Sequence, residues 1–268
     1  MNATRTTRAG RLQDKVVFIS GAGAGIGAAA ASMFSDEGAR VVVADIRPDA
    51  ARTVAQAISA RGGEALAWQC DVADEASVQA AFDATADRFG RLDALLNNAG
   101  GSEPADAPIT DVDMVVWKRT LDLNVTGTML CCRHAIPLMV RAGGGAIVNM
   151  CSGAALRGSS KSHLYTAAKG AIVSFTRVLA GTYAKDGIRA NALCSGRINT
   201  ERIRRTYGIP GRPGSSADPM QVDEQVKAYP FWFGEPTDMA GIALFLVSNE
   251  SRMITGAAIP ADGGRSAY

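Results

Sequence analysis

The feature that most constrains the fold is a glycine-rich turn between a short apolar run and an alanine-rich segment. Residues 15–20 form a β-rich run, and the turn from Gly21 to Gly27 follows it at once. A second apolar run, from Arg40 to Asp45, ends in a carboxylate. This order predicts a strand, a tight turn, a helix and a second strand, in which the turn and the helix N-terminus can approach a pyrophosphate. A glycine turn that binds nothing is the alternative.

The same alternation continues through the chain of 268 residues. It predicts strands at residues 64–69, 92–96, 146–151, 187–194 and within 254–264, and helices at 50–61, 74–89, 112–139 and 162–183. Such alternation is typical of an α/β domain. We expect one doubly wound, mostly parallel, seven-stranded Rossmann-type sheet with helices on both faces. The domain would span residues 12–268 after a flexible tail at 1–11, with its site at the carboxyl ends of the strands.

Composition and charge argue against several classes of function. The chain has 28 Lys and Arg against 26 Asp and Glu, a net charge of +2, which is too small for a nucleic-acid-binding surface. No apolar run approaches a membrane span, and residues 1–11 lack the apolar stretch of a secretory signal. The five cysteines show no Cys-x-x-Cys spacing, and the two histidines form no metal-ligand pattern with them. We expect no metal, nucleic-acid or membrane partner, and a reducing, cytoplasmic location.

A tyrosine and a lysine four residues apart point to proton transfer. Tyr165 and Lys169 lie among good helix formers, so their side chains should project from one helical face, about one turn apart. A free phenol titrates near pH ~10, but a fixed ammonium nearby lowers the pKa of the phenol. Ser152 ends an apolar run thirteen residues before Tyr165, where a strand would deliver it to the same sheet edge. A solvated tyrosine beside a surface lysine is the alternative.

Together these residues resemble the classical short-chain dehydrogenase/reductase family. Its Ser and Tyr-x-x-x-Lys match Ser152, Tyr165 and Lys169, and its upstream Asn matches Asn124 within the predicted helix 112–139. The similarity extends over roughly residues 12–264. It implies an enzyme that transfers a hydride between a CH–OH substrate and nicotinamide, with Tyr165 as general acid/base. It also implies that Asn124 bends its helix and connects Lys169 to solvent.

The resemblance further implies which residues contact the cofactor. The family's glycine pattern falls on Gly21, Gly25 and Gly27, and other contacts are implied for Ile26, Asp45, Asp71, Val72, Asn98, Ala99, Gly100, Tyr165, Lys169, Ile198 and Thr200. For Asp71 a turn or N-cap role is the alternative, and for the Asn98 segment an ordinary turn. The chain departs from the family at Ser195, where the family usually has Pro, so the loop near the nicotinamide loses a fixed φ angle.

Asp45 decides the expected choice of cofactor. A carboxylate at the end of the second strand can accept hydrogen bonds from a ribose diol and would repel the extra phosphate of NADP. The glycine loop contains no Lys or Arg, which also favours NAD. Arg47 argues against this choice, because its side chain could reach such a phosphate. A solvated arginine at a helix start is the alternative interpretation.

Three functions fit the resemblance. The first is an NAD-dependent oxidoreductase acting on a secondary alcohol or ketone. The second is a 3-oxoacyl-thioester (acyl carrier protein) reductase using NADPH, which Asp45 disfavours. The third is a non-catalytic nucleotide-sensing protein, a class that commonly lacks the Tyr/Lys pair retained here. By resemblance we expect a homotetramer built through the two long helices and the terminal strand.

The substrate region is predicted within residues 197–233, where the resembled family keeps a mobile lid. Residues there and nearby that could contact a substrate are Arg202, Arg204, Arg205, Arg212, Tyr229, Phe231, Trp232, Phe233 and His163. The arginines are candidates for an anionic substrate, and the aromatic residues for an apolar pocket. A solvated helix face and burial in the core are the respective alternatives.

Overall fold

A seven-stranded parallel sheet forms the centre of the structure. The computed structural model describes residues 10–158, 160–207 and 231–267. The strands are β1 (Val16–Ser20), β2 (Arg40–Asp45), β3 (Ala65–Gln69), β4 (Ala94–Asn97), β5 (Gly145–Ser152), β6 (Ile188–Ser195), β7 (Arg197–Ile198), β8 (Phe233–Gly234) and β9 (Ala258–Ala261). The main sheet has the order β3-β2-β1-β4-β5-β6-β9 with every neighbouring pair parallel, while β7 and β8 pair separately. The predicted fold class is confirmed.

Helices cover both faces of this sheet. They are α1 (Gly25–Asp36), α2 (Pro48–Ser59), α3 (Glu75–Phe89), α4 (Met114–Leu121), α5 (Gly127–Arg141), α6 (His163–Tyr183), α7 (Glu201–Tyr207) and α8 (Pro236–Val247). Buried side chains of α1, α2 and α8 form one core, and those of α3, α5 and α6 form the other. The central strands are therefore buried on both sides, as expected for parallel sheets.

Strand β1 shows how the sequence supplies both cores. Val17 and Ile19 belong to the core under α1, whereas Val16 and Phe18 belong to the core under α3, and all four are fully buried. Successive side chains of a strand point to opposite faces, so a continuous apolar run is required here. The ring of Phe18 stacks on Phe82 of α3, with centroids 4.3 Å apart.

The helix predicted at 112–139 is interrupted. Helix α4 ends at Leu121, a π-helical turn spans Asp122–Thr126, and α5 continues from Gly127. Asn124, at the centre of this turn, directs its side chain to backbone groups of Gly101 and Thr120 instead of to solvent. π-helical turns inside α-helices frequently occur at functional sites.

The chain is already held at its first described residues. The backbone N–H of Arg11 donates to Glu37 at 2.8 Å, and its guanidinium pairs with Glu250. The rest of the predicted tail, residues 1–9, lies outside the described part of the chain. Among the helices that the structure describes, none combines the length and apolar character needed to cross a membrane.

Candidate active site

A crevice runs along the carboxyl edge of the sheet, where the loops after β1, β4 and β5 meet. Its volume is about 830 Å³. Of the residues predicted to contact a cofactor, those that line it are Gly21, Gly25, Ile26, Asp45, Asn98, Ala99, Gly100, Tyr165, Lys169 and Thr200. The chain order reverses at β1, since β2 and β4 lie on its two sides. Ligands of open α/β sheets bind at such a switch point.

The glycine turn after β1 packs tightly against the loop after β4. Gly21 has a φ of +62°, which favours glycine, and a Cβ there would lie 2.9 Å from Cα of Ala99. A Cβ on Gly27 would lie 2.3 Å from the backbone oxygen of Gly21. The side-chain amide of Asn98 donates to the backbone oxygens of Ser20 and Gly21 at 3.1 and 2.9 Å. The amide therefore braces a turn that only glycine can form.

Helix α1 begins at this crevice without a side-chain cap from the described residues. Its N-cap, Ala24, lines the crevice together with Gly25 and Ile26. The first N–H groups of a helix lack intrahelical partners, and the helix dipole places positive potential there. The turn and the helix start therefore offer a site for a pyrophosphate.

Asp45 lines the crevice from the end of β2, and it is buried. Its Oδ2 accepts the backbone N–H of Gly23 at 2.8 Å, and its Oδ1 accepts that of Arg47 at 3.0 Å. The side chain of Arg47 is 60% exposed, and its Nε lies 3.5 Å from Oδ1 of Asp45. A ribose that entered here would meet a fixed carboxylate with one guanidinium beside it.

Tyr165 and Lys169 line the crevice from α6, on one face as their spacing predicts. The Nζ of Lys169 lies 5.6 Å from the centroid of the Tyr165 ring and donates to the backbone oxygen of Met150 at 2.9 Å. Lys169 is only 3% exposed, and this burial lowers the pKa of its ammonium to about 8. The fold therefore fixes a cation close to a half-buried phenol.

Ser152 and Tyr165 share a second cavity of about 210 Å³. It adjoins the crevice, because Tyr165, Ile26, Ser195 and Thr200 line both. The Oγ of Ser152 accepts the backbone N–H of Ala154 at 3.2 Å and retains its own hydrogen to donate. Tyr165 thus stands at the boundary between a large crevice and a smaller pocket that holds a serine hydroxyl.

Asn124 lies behind these residues and is fully buried. Its Nδ2 donates to the backbone oxygens of Thr120 and Gly101 at 2.9 and 3.0 Å, and its Oδ1 accepts the N–H of Gly101 at 3.0 Å. A Cβ on Gly100 would lie 2.8 Å from Oδ1 of Asn124 and 3.1 Å from Nζ of Lys169. Asn124 therefore ties the loop after β4 to the π-helical turn, next to the buried lysine.

The segment after β6 closes against the glycine turn. A Cβ on Gly25 would lie 3.1 Å from the methyl group of Thr200, and Ile198 lines the second cavity. Ser195 donates from its Oγ to the backbone oxygen of Cys151 at 3.3 Å. The residue that replaces the usual Pro of the resembled family therefore connects β6 to β5 at the level of the site.

Asp71 and Val72 lie after β3, outside the lining of the crevice. The Oδ1 of Asp71 accepts the N–H of Ala73 at 2.9 Å, as the turn alternative predicts. Val72 is buried against α5, where a Cβ on Gly127 would lie 2.7 Å from its Cγ2. The N-cap of α3 is Asp74 rather than Asp71.

Sequence reasoning missed Asp106, which caps the helix that carries Tyr165. Its two carboxylate oxygens accept the backbone N–H groups of Leu164 and Tyr165 at 3.0 and 2.9 Å. These N–H groups belong to the first turn of α6, where no intrahelical acceptor is available. A carboxylate 58 residues upstream has no local sequence signal, because only the fold brings it to this helix.

Three charged residues of the second cavity were also missed. Arg157, Asp262 and Arg265 line it together with Ser152. Arg157 follows the short turn after β5, while Asp262 and Arg265 follow β9. Arg157 is far from the other two in sequence and meets them because β5 and β9 lie on either side of β6.

The predicted substrate-region arginines divide into two groups. Arg202 and Arg205 line the crevice, and Arg202 also lines the second cavity. Arg204 instead donates to the side chain of Asn199 at 3.0 Å. Arg212 lies outside the described residues.

The described members of the predicted aromatic set line a separate cavity. Trp232 and Phe233 contact each other with centroids 5.5 Å apart, and Phe231 is 77% exposed. The imidazole Nδ1 of His163 accepts the backbone N–H of Ile109 at 3.1 Å, outside the lining of both cavities. Tyr229 lies outside the described residues.

The crevice fits a nicotinamide dinucleotide. The uncapped start of α1 suits the pyrophosphate, and the buried carboxylate of Asp45 suits the adenosine ribose. A Cβ on Gly100 would collide with Asn124 and nearly with Lys169, so glycine leaves space beside the lysine. The residues that would hold the nicotinamide end are Tyr165, Lys169 and Thr200.

Comparisons with known proteins identify the family to which the chain is similar. A family model described as Enoyl-(Acyl carrier protein) reductase matches residues 21–266. The chain is 37% identical over 254 residues to cis-4-hydroxycyclohexanecarboxylate dehydrogenase of Sinomonas cyclohexanicum, covering 95% of this chain and 97% of that protein.

Two solved structures are similar over nearly the whole chain. One is a short-chain type dehydrogenase/reductase from Mycobacterium ulcerans, with a TM-score of 0.86, 31% identity and coverage of 96% and 91% of the two chains. The other is a 7α-hydroxysteroid dehydrogenase complexed with NADH and 7-oxo glycochenodeoxycholic acid. Its TM-score is 0.85, its identity is 32%, and 95% of each chain is covered.

Proposed function

The chain belongs to the short-chain dehydrogenase/reductase family and is an oxidoreductase with a nicotinamide cofactor, and from this premise we propose that it interconverts a secondary alcohol and its ketone using NAD. The observation that carries the proposal is the position of Tyr165, which lines both the crevice and the pocket that contains Ser152. A substrate in the pocket would therefore lie between the serine hydroxyl, the phenol and the cofactor.

Each site residue has a distinct role in this proposal. In the direction of alcohol oxidation, Tyr165 as phenolate removes the hydroxyl proton, and Ser152 donates a hydrogen bond to the reacting oxygen. Lys169 favours the phenolate through its charge and holds the ribose hydroxyls, while Asn124 completes a proton relay to solvent. A bound nicotinamide supplies the hydride acceptor.

Asp45 supports NAD over NADP. Its carboxylate is buried and anchored by two backbone N–H groups, so it cannot easily move away from a 2′-phosphate. Arg47 is already paired with Asp45 at 3.5 Å, which leaves less of its charge for a phosphate. The 3-oxoacyl-thioester reductase using NADPH is disfavoured for this reason, and the retained Tyr165 and Lys169 disfavour a non-catalytic sensor.

The substitution Tyr165→Phe tests the proposal. It should lower kcat by at least about 10²-fold, the size of contribution typical of general acid/base groups, because the ring remains and only the hydroxyl is lost. Stabilisation of the protein by NAD, measured as a rise in Tm, should be retained. Turnover that survives the substitution would remove Tyr165 from the proposed role.

A substrate panel completes the test. Initial rates with NAD and NADP should be compared for cyclic and linear secondary alcohols, and with NADH and NADPH for ketones and 3-oxoacyl thioesters. Secondary alcohols and NAD should give the highest kcat/KM.

We further propose a single catalytic domain that spans residues 12–268, with a substrate lid near 197–233. We also propose a cytoplasmic location, since five unpaired thiols suit a reducing compartment.

A further inference from the structure

The pocket that holds Ser152 is strongly positive. Its charged lining residues are Arg157, Arg197, Arg202, Arg265 and Asp262. Arg197 stacks over the ring of Trp232 at 5.6 Å, and Arg202 donates to Ser102 at 3.4 Å. Two guanidiniums, those of Arg157 and Arg265, remain next to one carboxylate.

Each of these two guanidiniums has a nitrogen without a hydrogen-bond partner in the described part of the chain. The Nε atoms of Arg157 and Arg265 are buried and have no hydrogen-bond acceptor there, and Oδ2 of Asp262 is likewise buried without a donor. Burial lowers the pKa of Arg265, the charge of Arg157 contributes in the same direction, and the charge of Asp262 acts in the opposite direction. A buried polar atom of a charged group is costly when it has no hydrogen bond, so this partly buried cluster is suited to receive an anion.

Asp262 cannot supply that counterion alone. It packs against both sides of the site, since a Cβ on Gly153 would lie 2.7 Å from its Oδ2 and a Cβ on Gly196 2.7 Å from its Cα. One carboxylate does not balance two guanidiniums, and Arg197 and Arg202 add further positive charge to the pocket, so a net positive charge remains that an anionic ligand would offset. Guanidinium groups bind carboxylates in a bidentate geometry that adds both energy and specificity.

The anion in question belongs to the substrate rather than to the cofactor. Arg157 and Arg265 line the pocket with Ser152 but are absent from the lining of the nucleotide crevice. Building on the proposed function, we propose that the substrate is a hydroxy acid or oxo acid whose carboxylate is bound by Arg157 and Arg265. Ser152 and Tyr165 then bind the carbinol oxygen of the same molecule.

Binding without turnover gives the first test. The Tyr165→Phe protein, saturated with NADH, is titrated with lactate, 3-hydroxybutanoate and 4-hydroxypentanoate, each beside its neutral amide, and the rise in Tm is followed. At least one carboxylate should bind about 10- to 100-fold more tightly than its amide, the range expected for hydrogen bonds to charged groups. Equal binding within every pair would overturn the proposal.

Substitutions then assign the selectivity to the two arginines. In Arg157→Gln and Arg265→Gln the ratio of acid to amide affinity should fall by about 10-fold or more, mostly as a rise in KM where turnover is seen. Arg157→Lys keeps the positive charge but loses the planar guanidinium that binds a carboxylate with two hydrogen bonds. In this variant the ratio of acid to amide affinity should fall by an intermediate amount. A rise in Tm on addition of NADH establishes that each variant is folded. The matched control is Arg141→Gln, an exposed arginine at the opposite end of the sheet, which should keep the full ratio.

The outcomes separate this inference from the proposed function. Tyr165-dependent oxidation of neutral alcohols without preference for acids would overturn the carboxylate site and leave the dehydrogenase intact. Arginine-dependent binding of carboxylates by a protein that oxidises none of the panel would support the site and count against the proposed function.

Discussion

At the scale of single residues, Asp45 should control the choice between NAD and NADP. Asp45→Asn keeps an acceptor oxygen for one of the two N–H groups, those of Gly23 and Arg47, and removes the negative charge. We expect the ratio of kcat/KM for NAD to that for NADP to fall by roughly 10-fold or more, because each 1.4 kcal/mol of lost repulsion is about tenfold. Steady-state kinetics with both cofactors measures this ratio.

The double variant provides the control for this prediction. Arg47 is paired with Asp45 at 3.5 Å, so the single substitution frees its guanidinium to meet a phosphate. Adding Arg47→Gln to Asp45→Asn should lower kcat/KM for NADP again while affecting NAD little. An unchanged cofactor ratio in the single variant would mean that Asp45 does not face the ribose.

Lys169 gives the protein a pH dependence whose sign follows from its burial. Its pKa is about 8 in the fold against 10.5 for an unperturbed lysine, so the folded state bears the full cost of the buried charge below pH 8. Between these values the folded protein releases a proton that the unfolded chain retains. The free energy of unfolding should therefore rise with pH in this window, by up to about 3 kcal/mol.

Urea unfolding of cofactor-free protein at pH 7.5 and pH 10 tests this prediction. The wild type should gain stability relative to Lys169→Met as the pH rises, since methionine carries no charge. Lys185, which is exposed on the turn after α6, is the matched control, and Lys185→Met should show no such change. A difference between wild type and Lys169→Met that is constant with pH would contradict the argument.

Whether a residue could be predicted depended on how local its signal was. Lys169 and Tyr165 could be predicted to lie together because their spacing in one helix is enough to place them on the same face. Asp45 could be predicted because it ends a strand. Arg265 gave no signal, since its position beside Arg157 requires two strands to be placed across β6. Asp71 and Val72 were implied by resemblance only, and they lie outside the crevice lining.

At the scale of elements, the sequence predicted the strands better than the helices. The second strand was predicted at its observed bounds, Arg40–Asp45, because a continuous apolar run marks a buried parallel strand. The π-helical turn at Asp122–Thr126 could not be derived from helix propensity. It depends on hydrogen bonds between Asn124 and Gly101, which lies in a separate loop.

The cap of α6 should matter for both stability and catalysis. Asp106→Ala removes the acceptor for the N–H groups of Leu164 and Tyr165, so the free energy of unfolding should fall by about 1 kcal/mol. Because Tyr165 lies in that first turn, kcat should fall as well. Asp106→Asn, which retains one carbonyl acceptor, should recover part of both.

A second cap distinguishes the local effect from general destabilisation. Asp74 accepts the N–H of Ala76 at 3.2 Å at the start of α3, and it lies outside the lining of both cavities. Asp74→Ala should cost a similar amount of stability and leave kcat unchanged. If both alanine variants lowered kcat equally, Asp106 would have no special role in positioning Tyr165.

At the scale of the whole molecule, the order of the strands explains why distant segments form one site. The chain lays down β1, β2 and β3 on one side and then crosses to β4, β5 and β6 on the other. All strands are parallel, so their carboxyl ends meet along one edge. Three segments that are distant in sequence therefore become neighbours: the glycine turn after β1, the loop after β4 and Ser152 at the end of β5.

The outer face of the helix layer formed by α5 and α6 should form one interface of a homotetramer, and the terminal strand β9 should form another. Apolar side chains remain exposed on the helix face, among them Val178, which is 62% exposed on α6, and Met129, which is 37% exposed on α5. Exposed apolar groups on one face are typical of subunit interfaces.

Light scattering tests this assembly and should give about four times the chain mass of 27.9 kDa. Val178→Lys should reduce that mass, since it buries an unpaired charge, whereas Thr53→Lys, exposed on α2 of the opposite layer, should not. A wild-type mass of one chain would exclude the tetramer.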